Sequence, residues 1–208
     1  MATPGQLVSI MADVLGIPKA SVVQCDRLLA ENGLRSKRGR GTSAAKVTSV
    51  DAANLLITLA ASASSRAAPK DAVNVCRKFG SFVAVPIEDR QASCSKLGLG
   101  LLSELPEEHS LRTALAALIE AAAKGEPSRS SDVNVWVQFL APEPAAHILC
   151  ISEKLGVEAH QHYVDLNPAA TRRVARRGLI RGDLVTMSTI GLPTLCALGG
   201  LVAGEASQ

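Results

Sequence analysis

The chain has 208 residues, 47% hydrophobic and 20% charged, a balance typical of a folded globular protein that excludes a wholly disordered or collagen-like chain. Its five aromatic residues are too few for a protein that stacks successive bases of a single strand on rings. The net charge of +3 is uneven, because residues 1–50 carry seven basic and three acidic side chains and the remainder is nearly neutral. This asymmetry indicates that the N-terminal part contacts a polyanion.

Two short helices are predicted at the N-terminus. An apolar stripe at helical spacing runs from Leu7 to Leu15 and predicts a first helix that stops at Gly16. Pro18 is typical of a helix start, and the apolar face that follows predicts a second helix ending at Asn32 and Gly33. The sequence thus predicts two helices joined by a tight turn.

A basic segment and a third helix come next. Residues 34–47 are basic, small and glycine-containing, which predicts a loop or a short hairpin. Thr48 or Ser49 is predicted to cap a helix that ends near Ala61, followed by small polar residues typical of a linker. The predicted parts are an N-terminal domain at 1–62, a linker at 63–69 and an oligomerisation or effector domain at 70–208.

The second part reads as mixed α and β. Helical patterns cover Lys70–Phe79 and Ser110–Lys124, and alternating hydrophobicity over Val133–Leu140 predicts a strand. Three weaker alternating segments are also predicted to be strands, namely Phe82–Ile87, Val157–Leu166 and Gly182–Ile190, with Pro86 limiting the first to an edge or an end. The predicted fold class is α+β.

One spacing in the first two helices points to DNA. Ala12, Gly16 and Val22 stand where two packed helices need a small residue, a turn and an inserted side chain, and this spacing resembles the core signature of helix-turn-helix DNA-binding proteins. The outer face of the second helix would then be available to base edges in a major groove. The residues predicted to read bases are Lys19, Ala20, Val23, Gln24 and Arg27.

The basic segment fits beside that helix as a wing. The order of helix, turn, helix, basic segment and helix over residues 6–61 resembles the winged helix-turn-helix of MerR-like and excisionase-like regulators and similar phage modules. The resemblance implies an N-terminal winged helix-turn-helix domain ahead of the mixed α+β domain. The residues predicted to contact phosphates are Arg35, Lys37, Arg38, Arg40 and Lys46.

The leading hypothesis is a sequence-specific protein for double-stranded DNA, a bacterial or phage transcription regulator that acts by occupancy as a homodimer or higher homo-oligomer. One alternative is a DNA-packaging or architectural component similar to a small terminase subunit, with a higher oligomer. Another is an interaction adaptor without a DNA role. No nucleophile elbow, phosphate loop, dinucleotide fingerprint or zinc-protease motif occurs, so no enzyme is predicted.

Location and membrane association depend on two further features. Five cysteines without a C-x-x-C pair, and an N-terminus without a secretory pattern, favour a reducing interior, so we expect a cytoplasmic, nucleoid-associated protein. Residues 184–204 lack charge and follow several arginines, as in a membrane anchor, but their polar residues, glycines and proline favour no membrane contact.

Two remaining motifs are interpreted as structural. His160 and His162 would lie on one face of a strand and could start a metal site, yet no carboxylate or cysteine stands at ligand spacing, so neither a metal nor a cofactor is predicted. Arginines at 172, 173, 176 and 177 would form a basic stripe on a helix, most simply a solvated face.

Overall fold

The computed structural model describes residues 2–36, 46–85, 90–127, 132–166 and 185–204. Its helices are α1 (Pro4–Leu15), α2 (Lys19–Glu31), α3 (Ser49–Ser65), α4 (Ala72–Gly80), α5 (Arg90–Lys96), α6 (Gly100–Ser103), α7 (Leu111–Ala123) and α8 (Leu192–Ala203). Its strands are β1 (Val83–Ala84), β2 (Val133–Ala141), β3 (Ala145–Ser152), β4 (Val157–Val164) and β5 (Thr186–Gly191). The α+β class is confirmed.

The five strands form one antiparallel sheet in the order β1-β4-β3-β2-β5. Consecutive strands β2, β3 and β4 pair as two hairpins, which place the longest strands at the centre. β1 has two residues and lies at one edge, consistent with the edge or end position that Pro86 predicts for this segment.

The two faces of this sheet differ in burial. Because side chains alternate along a strand, one face carries buried residues such as Val137, Phe139 and Ile148, against which helices pack. On the opposite face the described residues of β2, β3 and β4 are half-buried or exposed. We call this second surface the outer face of the sheet.

α3 lies at the centre of the core. Every residue from Ala52 to Ala61 is buried, and the helix contacts α4, α7, β2 and β5. The core that includes α3 also contains side chains of α1, α2, α7, α8 and the sheet. The two parts on either side of the predicted linker therefore share one hydrophobic core, and their division into separate domains stays a prediction.

Two elements around the predicted linker differ from expectation. α3 continues to Ser65 instead of ending near Ala61, and the hydroxyls of Ser64 and Ser65 donate hydrogen bonds back to the Ala61 carbonyl. Because these bonds satisfy the two serine hydroxyls within the helix, the small polar residues after Ala61 do not end it. A 3-10 turn at Pro69–Asp71 then leads into α4.

The uncharged segment near the C-terminus divides into a strand and a helix. β5 pairs with β2, and α8 starts directly after Gly191 with Pro193 in its first turn. In α8, Leu195, Leu198 and Leu201 are buried, and the helix packs on α7. Within the described ranges, no helix is long and apolar enough to cross a membrane.

Candidate functional site

The two N-terminal helices form where the sequence predicts them. The Gln6 amide donates a hydrogen bond to the Thr3 hydroxyl, and the Thr3 amide donates one to the Gln6 side-chain oxygen. α1 therefore begins with a capping box. Gly16 ends the helix in the left-handed region, at φ 62°, a conformation that glycine adopts without a steric penalty. A turn of three residues then separates α1 from α2, which begins at Lys19.

The inner faces of α1 and α2 pack together. Ala12 is 8% exposed on α1, and Val22 on α2 is fully buried, in agreement with the small residue and inserted side chain expected at these positions. Cys25 and Leu29 continue the buried stripe of α2. The helix is therefore held by one apolar side, and its opposite side is available to solvent.

All five residues expected to read bases lie on that solvent side. Lys19, Ala20, Val23, Gln24 and Arg27 are exposed, and Val23 presents 48% of its surface. The Arg27 guanidinium forms an ion pair with Glu31, with 2.8 Å between Nε and Oε1, and this hydrogen bond raises the pKa of Arg27. The structure thus places these side chains on one accessible helix face.

The residues predicted to contact phosphates differ in their surroundings. Arg35 is engaged inside the protein, since its Nε lies 2.7 Å from Oδ1 of Asp26 and its side chain is only 14% exposed. An arginine held in this way stabilises α2 from its inner side, and its contact with a phosphate stays a prediction. Lys46 is exposed. The predicted contacts Lys37, Arg38 and Arg40 lie outside the described residues, as does the predicted wing.

The Asp26 carboxylate shows why Arg35 is needed there. Burial raises the pKa of Asp26, and the neighbouring Asp51 raises it further, while the positive charge of Arg35 opposes both. A buried carboxylate without a cation would be strongly unfavourable. The Asp26 and Arg35 pair therefore anchors the inner side of α2.

Asp51, at the start of α3, accepts hydrogen bonds from the chain on both sides of the basic segment. One carboxylate oxygen accepts a hydrogen bond from the Ser36 amide at 2.7 Å, and the other accepts from the Thr48 amide at 3.0 Å. Beside it, the Asn54 side chain donates to the Leu34 carbonyl and accepts from Arg112 of α7. The chain before and after residues 37–45 is therefore fixed beside the C-terminal end of α2.

A second candidate site lies on the outer face of the sheet, where His147, which was not predicted, joins His160 and His162. His147 on β3 is directly opposite His162 on β4, and His160 is on the same face two residues earlier. One ring nitrogen from each of the three imidazoles lies within 4.8 Å of the others. The ring centroids of His147 and His162 are 4.3 Å apart, and those of His160 and His162 are 4.2 Å apart. We call these three residues the histidine cluster.

The rings of the histidine cluster are half-buried and electrostatically coupled. Burial, together with the neighbouring His162 and His160, lowers the pKa of His147 to about 4. Burial and the neighbouring His160 also lower the pKa of His162. In the described part of the chain, no protein group is recorded in a hydrogen bond with any of these rings. The lowered pKa values of His147 and His162 favour their neutral imidazole forms, each of which has a nitrogen lone pair.

The sequence contains a signal for the histidine cluster in the turn between β3 and β4. Gly156 has a φ of 60°, and its amide donates to the Glu153 carbonyl, which closes a short connection of Glu153–Gly156. His147 and His162 lie at equal distances from this turn, so a hairpin pairs them. Because strand β3 was not predicted, only carboxylates and cysteines were considered as further metal ligands beside His160 and His162.

No protein-family model, no curated protein and no solved structure matches this chain. The arginine stripe predicted at 172–177 lies outside the described residues. The function is therefore inferred from the exposed face of α2 and from the histidine cluster.

Proposed function

We propose that this chain binds double-stranded DNA through the exposed face of α2, with the basic segment after α2 contacting the phosphates. The observation that carries the proposal is the division of α2 into two sides. Its buried side contains Val22, Cys25 and Leu29, whereas the side chains suited to base contacts are all exposed on the other. A helix with one anchored and one free side fits a major groove about 12 Å wide.

The chemistry of the exposed side suits base edges. The Gln24 amide can bond adenine through two hydrogen bonds, and the Lys19 or Arg27 cation can bond guanine. α2 has no acidic residue in its first turn, so its N-terminal end does not repel the DNA backbone. Glu31, which pairs with Arg27, lies at the other end of the helix.

The phosphate contacts are assigned to the other four cations of the basic segment. With Arg35 paired to Asp26, the remaining proposed contacts are Lys37, Arg38, Arg40 and Lys46. Four neutralised phosphates predict that the logarithm of the binding constant falls with the logarithm of salt concentration at a slope of about −3.6. Asp51 supports this role because it fixes both ends of the segment beside α2.

A single module with these contacts would bind weakly, which supports action as a homo-oligomer. Two copies double the phosphate contacts and read two half-sites at a spacing that the dimer sets. We therefore extend the proposal to a bacterial or phage transcription regulator that acts by occupying its site. The mass of the protein in solution separates this role from DNA packaging, because a dimer supports the regulator and a ring of many copies supports the packaging component.

The experiment is fluorescence anisotropy with a labelled duplex across a salt series. In the double variant Arg38→Ala and Arg40→Ala, we expect weaker binding and a salt slope shallower by about 1.8. The matched control is Lys154→Ala, which removes an exposed cation from the turn between β3 and β4. Equal affinity and slope in the wild type and the double variant would contradict DNA binding by this segment.

Base reading is tested separately from phosphate binding. Bound fragments are first selected from genomic DNA and sequenced to obtain a preferred site. In Gln24→Ala and Arg27→Ala, we expect the preference for that site over random duplex to fall by about 1–3 kcal/mol per lost contact. The salt slope should change less than in the double variant. An unchanged preference in both variants would exclude this face from base reading.

A further inference from the structure

We propose that His147, His160 and His162 bind one divalent first-row metal ion, such as Zn²⁺, through one ring nitrogen each. The site lies on the outer face of the sheet, away from the DNA-binding face proposed on α2. The inference is independent of DNA binding, because it depends only on the pairing of β3 with β4.

The first argument is geometric. Antiparallel pairing places His147 opposite His162, and alternation along β4 places His160 on the same side. The three nitrogens lie within 4.8 Å of one another, whereas a tetrahedral zinc ion with Zn–N bonds near 2.0–2.1 Å needs them roughly 3.3 Å apart. The proposal requires side-chain rotation to close the remaining difference of up to about 1.5 Å.

The second argument concerns the donor set. Imidazole nitrogen is a ligand for zinc, copper, nickel and iron, whereas magnesium and calcium prefer oxygen. The cluster offers three such nitrogens, and none of them is engaged in a recorded hydrogen bond with the described protein. Their lone pairs are therefore open to a metal ion.

The third argument concerns what surrounds the three ligands. Among the residues that the structure describes, no carboxylate or thiolate joins the histidine cluster as a fourth ligand. The neighbouring residues on the outer face, such as Gln138 opposite His147, are half-buried and leave that face open to solvent. Three protein ligands with an open fourth position are characteristic of zinc sites that bind water or a small ligand.

The test begins with metal uptake by the full-length protein. After treatment with a chelator and dialysis, Zn²⁺ is titrated calorimetrically and the bound metal is counted by elemental analysis. We expect one ion per chain in the wild type. In His160→Gln and His162→Gln, we expect the affinity to fall about 100-fold, since even the loss of a group that only supports a ligand costs 10–100-fold. Circular dichroism checks that each variant is folded.

The matched control is Glu158→Gln. Glu158 is exposed on β4, two residues from His160 and on the same face, so its replacement removes a nearby oxygen donor and leaves the imidazoles in place. We expect this variant to bind zinc as the wild type does. A loss equal to that of the histidine variants would assign the metal to adventitious surface binding and overturn the proposal.

Two measurements on the wild type keep the proposal testable even if a variant fails to fold. Trp136 is the single tryptophan and lies on the outer face, diagonal to His147, so Cu²⁺ in the cluster should quench its fluorescence at one equivalent. Co²⁺ should give visible bands of a nitrogen-ligated site without the strong ultraviolet band of a thiolate complex. A thiolate band, or no metal uptake at millimolar concentration, would overturn the proposal.

Discussion

The exposed face of α2 and the outer face of the sheet are built in different ways. The α2 face is made within thirteen consecutive residues, and its direction is fixed by the buried stripe and the Asp26 and Arg35 pair on the other side. The histidine cluster combines residues of two strands, so its geometry depends on the register between β3 and β4. Loss of the Asp26 and Arg35 pair should therefore destabilise α2, and a change in the turn between β3 and β4 should disturb the register of the sheet.

The largest expected effect is the loss of the inner anchor of α2. In Arg35→Ala, Asp26 is left buried without its cation, and we expect the free energy of unfolding to fall by about 3 kcal/mol. Urea unfolding measures this change. The double variant with Asp26→Ala should lose less than the sum of the two single variants, because the two side chains interact directly.

The control for this prediction is the second ion pair of the same helix. Arg27 and Glu31 are 77% and 48% exposed in their side chains, and solvent screens such a pair. Arg27→Ala should therefore leave the unfolding midpoint unchanged within error. If both arginine variants lose the same stability, the inner and outer sides of α2 do not differ in the way that their burial indicates.

A smaller effect is expected from the turn that sets the register of the histidine cluster. Gly156 has a φ of 60°, and a side chain at this conformation costs about 1–2 kcal/mol, so Gly156→Ala should destabilise the protein by that amount. Gly5→Ala is the control, because Gly5 is in α1 and an added Cβ would meet no atom within 4 Å. If neither variant loses stability, the conformation of Gly156 does not constrain the turn that sets the register of β3 and β4.

The α2 face is formed by residues of one helix, whereas the histidine cluster is formed by residues of two strands. This difference also explains which features could be predicted from the sequence. Apolar spacing and local signals such as Gly16 and Pro18 predict α1, α2 and α7, although α1 begins at Pro4, before its apolar stripe. The exposure of Lys19 and Gln24 follows from the same periodicity. The α2 face was therefore predictable from the sequence.

Features that depend on tertiary contacts were not predictable in this way. Arg35 stands in a basic segment and was expected to face a phosphate, but Asp26 and Asp51 lie close enough to create an acidic position that a cation neutralises. The third imidazole, His147, belongs to a strand that was not predicted. Sequence spacing reports neighbours along one element, whereas these contacts join separate ones.

The smallest expected effect is on the pH dependence of stability, to which the histidine cluster contributes. Burial and the two neighbouring imidazoles lower the pKa of His147 from 6.5 to about 4. Between these pH values the unfolded chain binds more protons than the folded chain, so the free energy of unfolding decreases as the pH falls. The stabilisation is fully present above the unfolded pKa and is lost as the pH approaches the folded one.

Because His147 is only half-buried, solvent screening reduces the expected loss to about 1 kcal/mol. Asp26 acts in the opposite direction, since its raised pKa makes the folded chain bind protons more readily as the pH falls. Urea unfolding of the metal-free wild type and His147→Gln at a series of pH values isolates the histidine contribution as the difference between the two curves. Parallel curves from pH 7 to about pH 4 would mean that neither burial nor the neighbouring imidazoles lower the pKa of His147.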